Sequence, residues 1–357
     1  MSSLHLYAGD GARHWIRERG LNPADIRAMI GASGGPKWLV LRAIDRYLLS
    51  QFFPHSEQPV QLLGSSIGSW RFACYASADP LAAFERFEQA YLGQRYERKP
   101  TPAEVSQVSR DILRALLGPG GAEYAIEQSR FRLNIMAVRG RGLCASERKP
   151  LLAAGVTLAA LGNLASRRSL GLSFERALFS VNPTTTPFGQ LQDLPHRIYP
   201  LTRDDLEPAL MASASIPLVM AGVRGFAEAP AGTYRDGGVT DYHFDIPFGE
   251  GPGIVLYPHF SPRVAPGWFD KALRWRQPSR DHYRDVLLVT PSPAFIARLP
   301  GGKIPDRNDF VKLDNDTRIA RWQQVLEMTR QLADELHEAL EGGRLADQLR
   351  PLPFAPR

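Results

Sequence analysis

The chain has 357 residues, of which 44% are hydrophobic and 22% are charged. This length suits one large or two modest domains with a buried core, and the composition excludes a disordered or low-complexity protein. The formal net charge of +6 favours anionic partners such as phospholipid headgroups, whereas no Lys/Arg-rich run is interleaved with aromatic residues, so we expect no nucleic-acid binding.

The first part of the chain alternates predicted strands and helices. Residues 25–32 (DIRAMIGA) predict a short buried strand, and residues 34–52 carry apolar side chains at helical spacing. Residues 59–64 (PVQLLG) predict a second strand, followed by a helix over 67–76. The order strand, glycine loop, helix, strand, tight turn, helix is typical of an α/β fold with a largely parallel sheet.

The remaining chain continues this mixture. Residues 80–130 predict helices, and residues 206–220 predict a helix that ends at Pro217. Further strands are predicted over residues 131–140, 176–183, 254–260 and 285–291, and residues 232–243 predict a strand that leads into a turn. Residues 316–341 predict one long amphipathic helix. A Pro/Gly-rich zone around 247–267 divides a core, residues 25–250, from a C-terminal extension, residues 251–357, which we expect to pack on the core and to end in that helix.

Two stretches match the serine-hydrolase pattern G-x-S-x-G. In QLLGSSIGSW the pattern is met by Gly64, Ser66 and Gly68, between a predicted strand and a predicted helix, as a nucleophile elbow requires. GASGG, residues 31–35, matches it too, with Ser33 at the centre. The pattern alone therefore does not choose between the two serines, and a plain turn of small residues is the structural alternative for each.

The first match continues into a glycine loop ahead of a helix. Gly34 and Gly35 are followed by Pro36, which suits a first helical turn, and by Lys37. Backbone amides in such a loop can face the oxyanion of a tetrahedral intermediate, and Lys37 adds positive charge. Neither a phosphate-binding P-loop nor a dinucleotide fingerprint matches the spacing.

A candidate base stands in YRDGGVTDYHFD. Asp236 ends a predicted strand and is followed by two glycines, so a serine brought close in space would meet a held carboxylate. A plain Asp-Gly turn is the structural alternative. Asp241, His243 and Asp245 are the alternative bases nearby.

In their order and spacing, SGGPKW (33–38), GSSIG (64–68) and DGG (236–238) resemble the motifs of the patatin-like phospholipases, serine acyl hydrolases that use a Ser–Asp dyad. The run MASASIPLVM (211–220) resembles the small-residue helix and proline that precede the aspartate in that family. The resemblance covers roughly residues 25–250. It implies a three-layer α/β fold with a mostly parallel central sheet flanked by helices.

The resemblance also implies a function and a site. Ser66 would be the nucleophile and Asp236 the base, with Gly34, Gly35 and Lys37 in the oxyanion hole. The expected activity is hydrolysis of lipid acyl esters, of the phospholipase A, lysophospholipase or esterase type, with peripheral contact to an anionic membrane surface. We expect no metal or organic cofactor, because the histidines and cysteines show no ligand spacing.

The chain also departs from the family pattern. Ser33 replaces the first loop glycine, Trp38 replaces the glycine after the basic residue, and after Gly238 Asp241 stands near the position of the family's asparagine. The family's following proline comes only at Pro247. A non-catalytic lipid-binding relative therefore stays an alternative.

A different catalytic machinery is the other alternative. In a Ser-His-Asp esterase of the α/β-hydrolase type, His259 or His282 would follow Ser66 and Asp236 in the right chain order.

The cysteines and the apolar stretches of the sequence bear on the cellular compartment of the protein. Cys74 and Cys144 lie in apolar surroundings, typical of buried thiols in a reducing compartment, and the N-terminus shows no secretion signal. The longest uncharged apolar stretch, residues 151–165, is shorter than the roughly 20 residues that span a bilayer. It predicts a core helix or, alternatively, a lipid-facing interfacial segment. We expect a cytoplasmic protein, with membrane contact only at the periphery.

Overall fold

The computed structural model of the protein describes residues 2–354 and is organised around one ten-stranded sheet. The strands are β1 (Leu4–Ala8), β2 (Ile26–Gly31), β3 (Val60–Ser65), β4 (Phe131–Gly140), β5 (Phe174–Ser180), β6 (His196–Pro200), β7 (Tyr234–Asp236), β8 (Ile254–Pro258), β9 (Val286–Pro291) and β10 (Leu349–Pro351). Their spatial order is β10–β1–β9–β8–β2–β3–β4–β5–β6, and β7 pairs with β4.

Parallel pairing runs through the centre of the sheet, from β9 through β8, β2 and β3 to β4. Antiparallel pairs occur at β1–β9, β4–β5 and β4–β7. The central strands are apolar on both faces, and β5, β8 and β9 are buried along their whole length, because helices cover both sides of the sheet. The predicted α/β fold with a mostly parallel central sheet flanked by helices is confirmed.

Helices fill the connections between the strands. They are α1 (Asp10–Arg19), α2 (Arg42–Tyr47), α3 (Ile67–Tyr75), α4 (Pro80–Leu92), α5 (Pro102–Leu117), α6 (Gly121–Glu127), α7 (Lys149–Ala165), α8 (Leu170–Ser173), α9 (Arg203–Ala214), α10 (Pro293–Arg298), α11 (Asp309–Lys312), α12 (Asn315–Met328), α13 (Arg330–Glu341) and α14 (Leu345–Gln348). Side-chain caps define where two of these helices begin. Thr101 caps α5 in a capping box with Glu104, and the Thr202 side chain caps α9.

The prediction of one long helix over residues 316–341 is wrong. Helix α12 ends at Met328, and α13 begins at Arg330. The buried Thr329 between them donates its hydroxyl to the carbonyl oxygen of Leu326 at 2.6 Å. Such back-bonding competes with the helical ladder and bends a helix, which a pattern of apolar spacing does not reveal.

The C-terminal extension shares the sheet with the core. Strands β8 and β9 lie between β2 and β1, and β10 pairs in parallel with β1. Residues 251–357 therefore contribute strands as well as helices. The described chain continues past α13 through α14 to β10, so the expectation that the extension ends in the amphipathic helix is corrected.

No helix within residues 2–354 has the length and apolar character needed to cross a bilayer. The apolar stretch 151–165 forms most of α7, which buries one side and exposes the other. Both cysteines are buried and free, as the sequence predicted.

Candidate active site

The candidate site lies where two strands meet end to end beside β4. Strand β3 pairs with the first part of β4, with Ser65 opposite Met136. Strand β7 pairs with the second part, with Asp236 opposite Ala137. Because both strands end at adjacent positions of β4, Ser66 meets Asp236, although 170 residues separate them in the sequence.

Ser66 occupies a sharp turn between β3 and α3. Its backbone angles are φ 55° and ψ −127°, a region that residues with side chains seldom adopt. A Cβ atom added to Gly64 would lie 2.5 Å from the Cα of Ser69, and one added to Gly68 would lie 2.0 Å from the carbonyl oxygen of Gly31. The G-x-S-x-G spacing thus reflects close backbone packing around a strained serine, as a nucleophile elbow requires.

The serine and the aspartate are joined by a direct hydrogen bond. Ser66 Oγ donates to Asp236 Oδ2 at 3.0 Å, and Asp236 Oδ1 accepts from the Gly238 amide at 2.7 Å. Burial raises the pKa of Asp236 to about 6, an effect partly offset by the charge of Arg307 and by the two hydrogen bonds. At neutral pH the carboxylate is therefore mostly ionised and placed to accept the proton of Ser66.

Two further serines hold the turn. The Ser66 amide donates to Ser213 Oγ at 2.8 Å, and Ser213 Oγ donates in turn to the Met136 carbonyl oxygen at 2.6 Å. Ser69 Oγ donates to the carbonyl oxygen of Ser66 at 2.6 Å. The small-residue run 211–220 was the only sequence signal for Ser213, and its contact with the turn was not predicted.

The glycine loop follows β2 directly. The amide nitrogen atoms of Gly34 and Gly35 donate to no acceptor among residues 2–354. The Ser33 amide, in contrast, donates to the Tyr242 carbonyl oxygen at 2.9 Å, and Ser33 Oγ donates to Ser65 Oγ at 3.0 Å. Among the described residues Ser33 thus has no carboxylate partner, and its amide already donates to Tyr242.

Three basic side chains, Lys37, Lys271 and Arg307, lie near the glycine loop. The half-buried Lys37 places Nζ 4.8 Å from the Phe260 ring centre, and Lys271 places Nζ 4.9 Å from that of Tyr242. Burial and the charges of Lys271 and Arg307 lower the pKa of Lys37 to about 8. Sequence reasoning missed Lys271 and Arg307, because they lie in the extension and belong to no local motif.

The site is closed in this conformation. Ser66 is 2% exposed and Asp236 is 5% exposed. The adjoining cavity has a volume of about 20 Å³ and is lined by Ser33, Ile216, Pro217, Asp236, Gly238, Val239, Tyr242, Trp268 and Arg307. A space of this size holds a water molecule but not an acyl chain, so an acyl chain can enter only after the lining residues move. Two larger clefts, of about 1010 and 890 Å³, are lined by neither Ser66 nor Asp236.

The three candidate histidines have partners outside the candidate dyad. His243 and His259 are buried, and burial lowers the pKa of His259 to about 3. His282 Nδ1 lies 2.8 Å from Asp245 Oδ1. Within residues 2–354, no histidine hydrogen-bonds to Ser66 or to its aspartate partner. The Ser-His-Asp arrangement is thus not assembled in this conformation.

Two departures from the family pattern have structural explanations. Asp241 accepts hydrogen bonds of 2.7 and 2.8 Å from Arg176 inside the core, so it stabilises a buried ion pair and does not face Ser66. The indole of Trp38 stacks on Phe87 of α4, with ring centres 4.4 Å apart. Trp38 therefore packs into the core next to the loop.

Among residues 2–354 no group of three or more His, Cys, Asp or Glu side chains is placed to hold a metal ion. No protein-family model, no curated protein and no solved structure matches the chain. What distinguishes the site is its own geometry: a serine on a strained turn, a buried carboxylate 3.0 Å away, and a glycine loop with free amides.

Proposed function

We propose that the chain is a lipid acyl hydrolase of the patatin-like type, with Ser66 as nucleophile and Asp236 as general base. The observation that carries the proposal is the 3.0 Å hydrogen bond from Ser66 Oγ to Asp236 Oδ2 at a strained strand-to-helix turn. A serine hydroxyl is a weak nucleophile until a base accepts its proton. Asp236 has the position and the ionisation state to act as this base at neutral pH.

The reaction would proceed in two steps. Asp236 accepts the proton of Ser66 while Oγ attacks the acyl carbonyl carbon, and the free amides of Gly34 and Gly35, with Lys37, stabilise the oxyanion. Asp236 then returns the proton to the departing alcohol as the ester C–O bond breaks. In the second step Asp236 takes a proton from water, the hydroxide attacks the acyl-enzyme, and the fatty acid leaves as Ser66 regains its proton.

The charges around the site favour an anionic lipid as substrate. Besides burial, the charges of Lys271 and Arg307 lower the pKa of Lys37, and Arg307 also lowers the pKa of Lys271. Arg307 lines the cavity next to Asp236. A phosphate next to the scissile ester would neutralise this cluster. A phospholipid or lysophospholipid therefore fits better than a neutral glyceride.

The test is release of fatty acid from lysophosphatidylglycerol and from a neutral monoacylglycerol. We expect Ser66→Ala and Asp236→Asn to lower kcat by about a thousandfold or more, because each removes a reacting group. Lys271→Ala should raise KM for the anionic substrate more than for the neutral one. Ser33→Ala is the matched control, since it removes the serine of the other G-x-S-x-G stretch.

Turnover that survives Ser66→Ala would overturn the assignment. Loss of turnover in folded His282→Ala would instead support a Ser-His-Asp enzyme. Absence of turnover in folded wild type would favour the second candidate, a non-catalytic lipid-binding protein. The closed cavity of about 20 Å³ is the observation that favours this candidate.

A further inference from the structure

Helix α7 has an exposed side made of leucines. Its buried side carries Leu152, Gly155, Ala159 and Asn163, whereas Leu158, Leu161 and Leu164 are 59%, 58% and 53% exposed. These three leucines follow one another at three-residue spacing along the exposed side, and we call them the leucine face.

Exposed apolar side chains are concentrated around this face. Of the eleven large apolar side chains that are exposed within residues 2–354, six are leucines between positions 143 and 172. Leu172, in the short helix α8, is 82% exposed. Scattered exposed leucines are ordinary on a protein surface, but a concentration of this kind marks a contact surface.

The charges at the two ends of the helix have one sign. Arg148 and Lys149 stand at its start, Arg167 and Arg168 follow its end, and no Asp or Glu occurs from residue 148 to residue 174. Cations at a helix N-terminus interact unfavourably with the helix dipole, so Arg148 and Lys149 do not stabilise α7 itself. An anionic surface facing the leucines would attract both side chains and so explain their position.

The buried side of α7, opposite the leucine face, contacts the mouth of the candidate site. Asn163 Nδ2 donates to Asp270 Oδ1 at 2.7 Å, and Asp270 belongs to the short helical turn that begins at Trp268, a residue lining the cavity. Arg167 Nη2 donates at 2.7 Å to the carbonyl oxygen of Thr240, close after Asp236. A surface that binds the leucine face is therefore separated by one helix diameter, roughly 10 Å, from the residues that close the site.

We propose that α7 lies on the surface of an anionic membrane, with Leu158, Leu161 and Leu164 inserted among the lipids and Arg148, Lys149 and Arg168 contacting the headgroups. Leucines flanked by cations are the composition of an interfacial helix. A second copy of the chain fits less well, because a twofold pairing of α7 places cations opposite cations. Membrane binding by α7 does not depend on the proposed function. The further idea that this binding delivers substrate to Ser66 does rest on the proposed function.

The test is co-sedimentation of the full chain with phosphatidylcholine vesicles, with and without phosphatidylglycerol. We expect wild type to bind the vesicles that contain phosphatidylglycerol. The triple variant Leu158→Ser, Leu161→Ser, Leu164→Ser should lose about tenfold or more in partitioning, because three leucines no longer leave water. Val311→Ser is the matched control: Val311 is 86% exposed on α11, so this variant removes apolar surface elsewhere.

A second set of variants tests the charges. Replacing Arg148, Lys149 and Arg168 by Gln should weaken binding to vesicles with phosphatidylglycerol and remove most of its salt dependence. Circular dichroism and hydrolysis of a water-soluble butyrate ester monitor folding and basal activity separately.

Equal binding by wild type and the leucine variant would overturn the proposal. So would the absence of wild-type binding to any vesicle, or a solution dimer that the leucine variant dissociates without any effect on vesicles. If the butyrate ester is not hydrolysed but the leucine variant loses vesicle binding, the membrane proposal stands and the proposed function fails.

Discussion

At the residue scale, Ser66 and Asp236 each carry a feature that opposes folding. The positive φ of Ser66 costs of the order of 1–3 kcal/mol, and burial opposes the ionisation of Asp236. Such features persist where the surrounding structure enforces them, here through close packing at Gly64 and Gly68 and through the hydrogen bond to Ser213. Their concentration at one point is what an active site requires.

The pH dependence of turnover is the first prediction. Asp236 must be ionised to accept a proton, so kcat/KM should rise with pH through about 6. Arg307→Ala should move this rise to higher pH, because Arg307 lowers the pKa of Asp236. If Lys37 supports the oxyanion, activity should fall again above about pH 8, where Lys37 loses its proton. A pH–rate profile that is flat across the region around pH 6 would contradict the assignment of the base.

The stability of Asp236→Asn is the second prediction. Burial raises the pKa of Asp236 in the folded state above the value that it has in the unfolded chain. Once the pH exceeds the unfolded-state value, the unfolded chain ionises more readily, so Asp236 lowers the free energy of unfolding. Asp236→Asn should therefore raise the free energy of unfolding at about pH 8 by about 3 kcal/mol. The difference should shrink toward zero as the pH falls to about 4. Urea denaturation at both pH values measures it, and an Asn variant that is less stable at the higher pH would refute the account of burial.

At the element scale, the site depends on strand ends and on one close helix–strand contact. Strands β3 and β7 end at adjacent positions of β4, and the start of α3 touches the end of β2 through Gly68 and Gly31. The position of α3 therefore sets the position of Ser66.

Gly68→Ala is the third prediction. The added methyl group would lie 2.0 Å from the backbone oxygen of Gly31, so α3 must shift. We expect a loss of about 3 kcal/mol or more in the free energy of unfolding, together with lost turnover. Gly121→Ala, in α6, is the control, because its new methyl group meets only Leu117 Cβ at 3.5 Å and should be neutral or slightly stabilising. Equal unfolding curves for the two variants would show that the contact is not rigid.

At the scale of the whole molecule, the two parts of the chain complete one structure. Strand β8 covers the side of β2 that faces away from β3, while Trp268, Lys271 and Arg307 from the extension surround the candidate site. Neither the sheet nor the mouth of the site is complete without residues 251–357.

Truncation after residue 250 is the fourth prediction. The fragment should lose its near-ultraviolet circular dichroism signal and should aggregate, because β2 becomes an exposed apolar edge. Truncation after Gly343 is the control: it removes only α14 and the edge strand β10, so cooperative unfolding should persist at a lower Tm. A fragment of residues 1–250 with a cooperative thermal transition would contradict this prediction.

Those parts of the fold and of the candidate site that depend on neighbouring residues in the chain could be predicted from the sequence. Short apolar runs predicted β2, β3 and β4, and the motifs pointed to Ser66 and Asp236, which the fold brings into contact. What the sequence missed depends on distant pairing: the insertion of β8 and β9 between β2 and β1, and the short edge strands β1 and β10. The same holds for side chains such as Ser213 and Arg307, which no local pattern connects to Ser66.

The most direct test of the central claim is labelling with a fluorophosphonate probe followed by peptide mapping. The account predicts modification of Ser66, lost in Ser66→Ala, slowed in Asp236→Asn and retained in Ser33→Ala, because only Ser66 donates to a buried carboxylate on a strained turn. Modification of Ser33, or no modification of folded protein with and without vesicles, would contradict it.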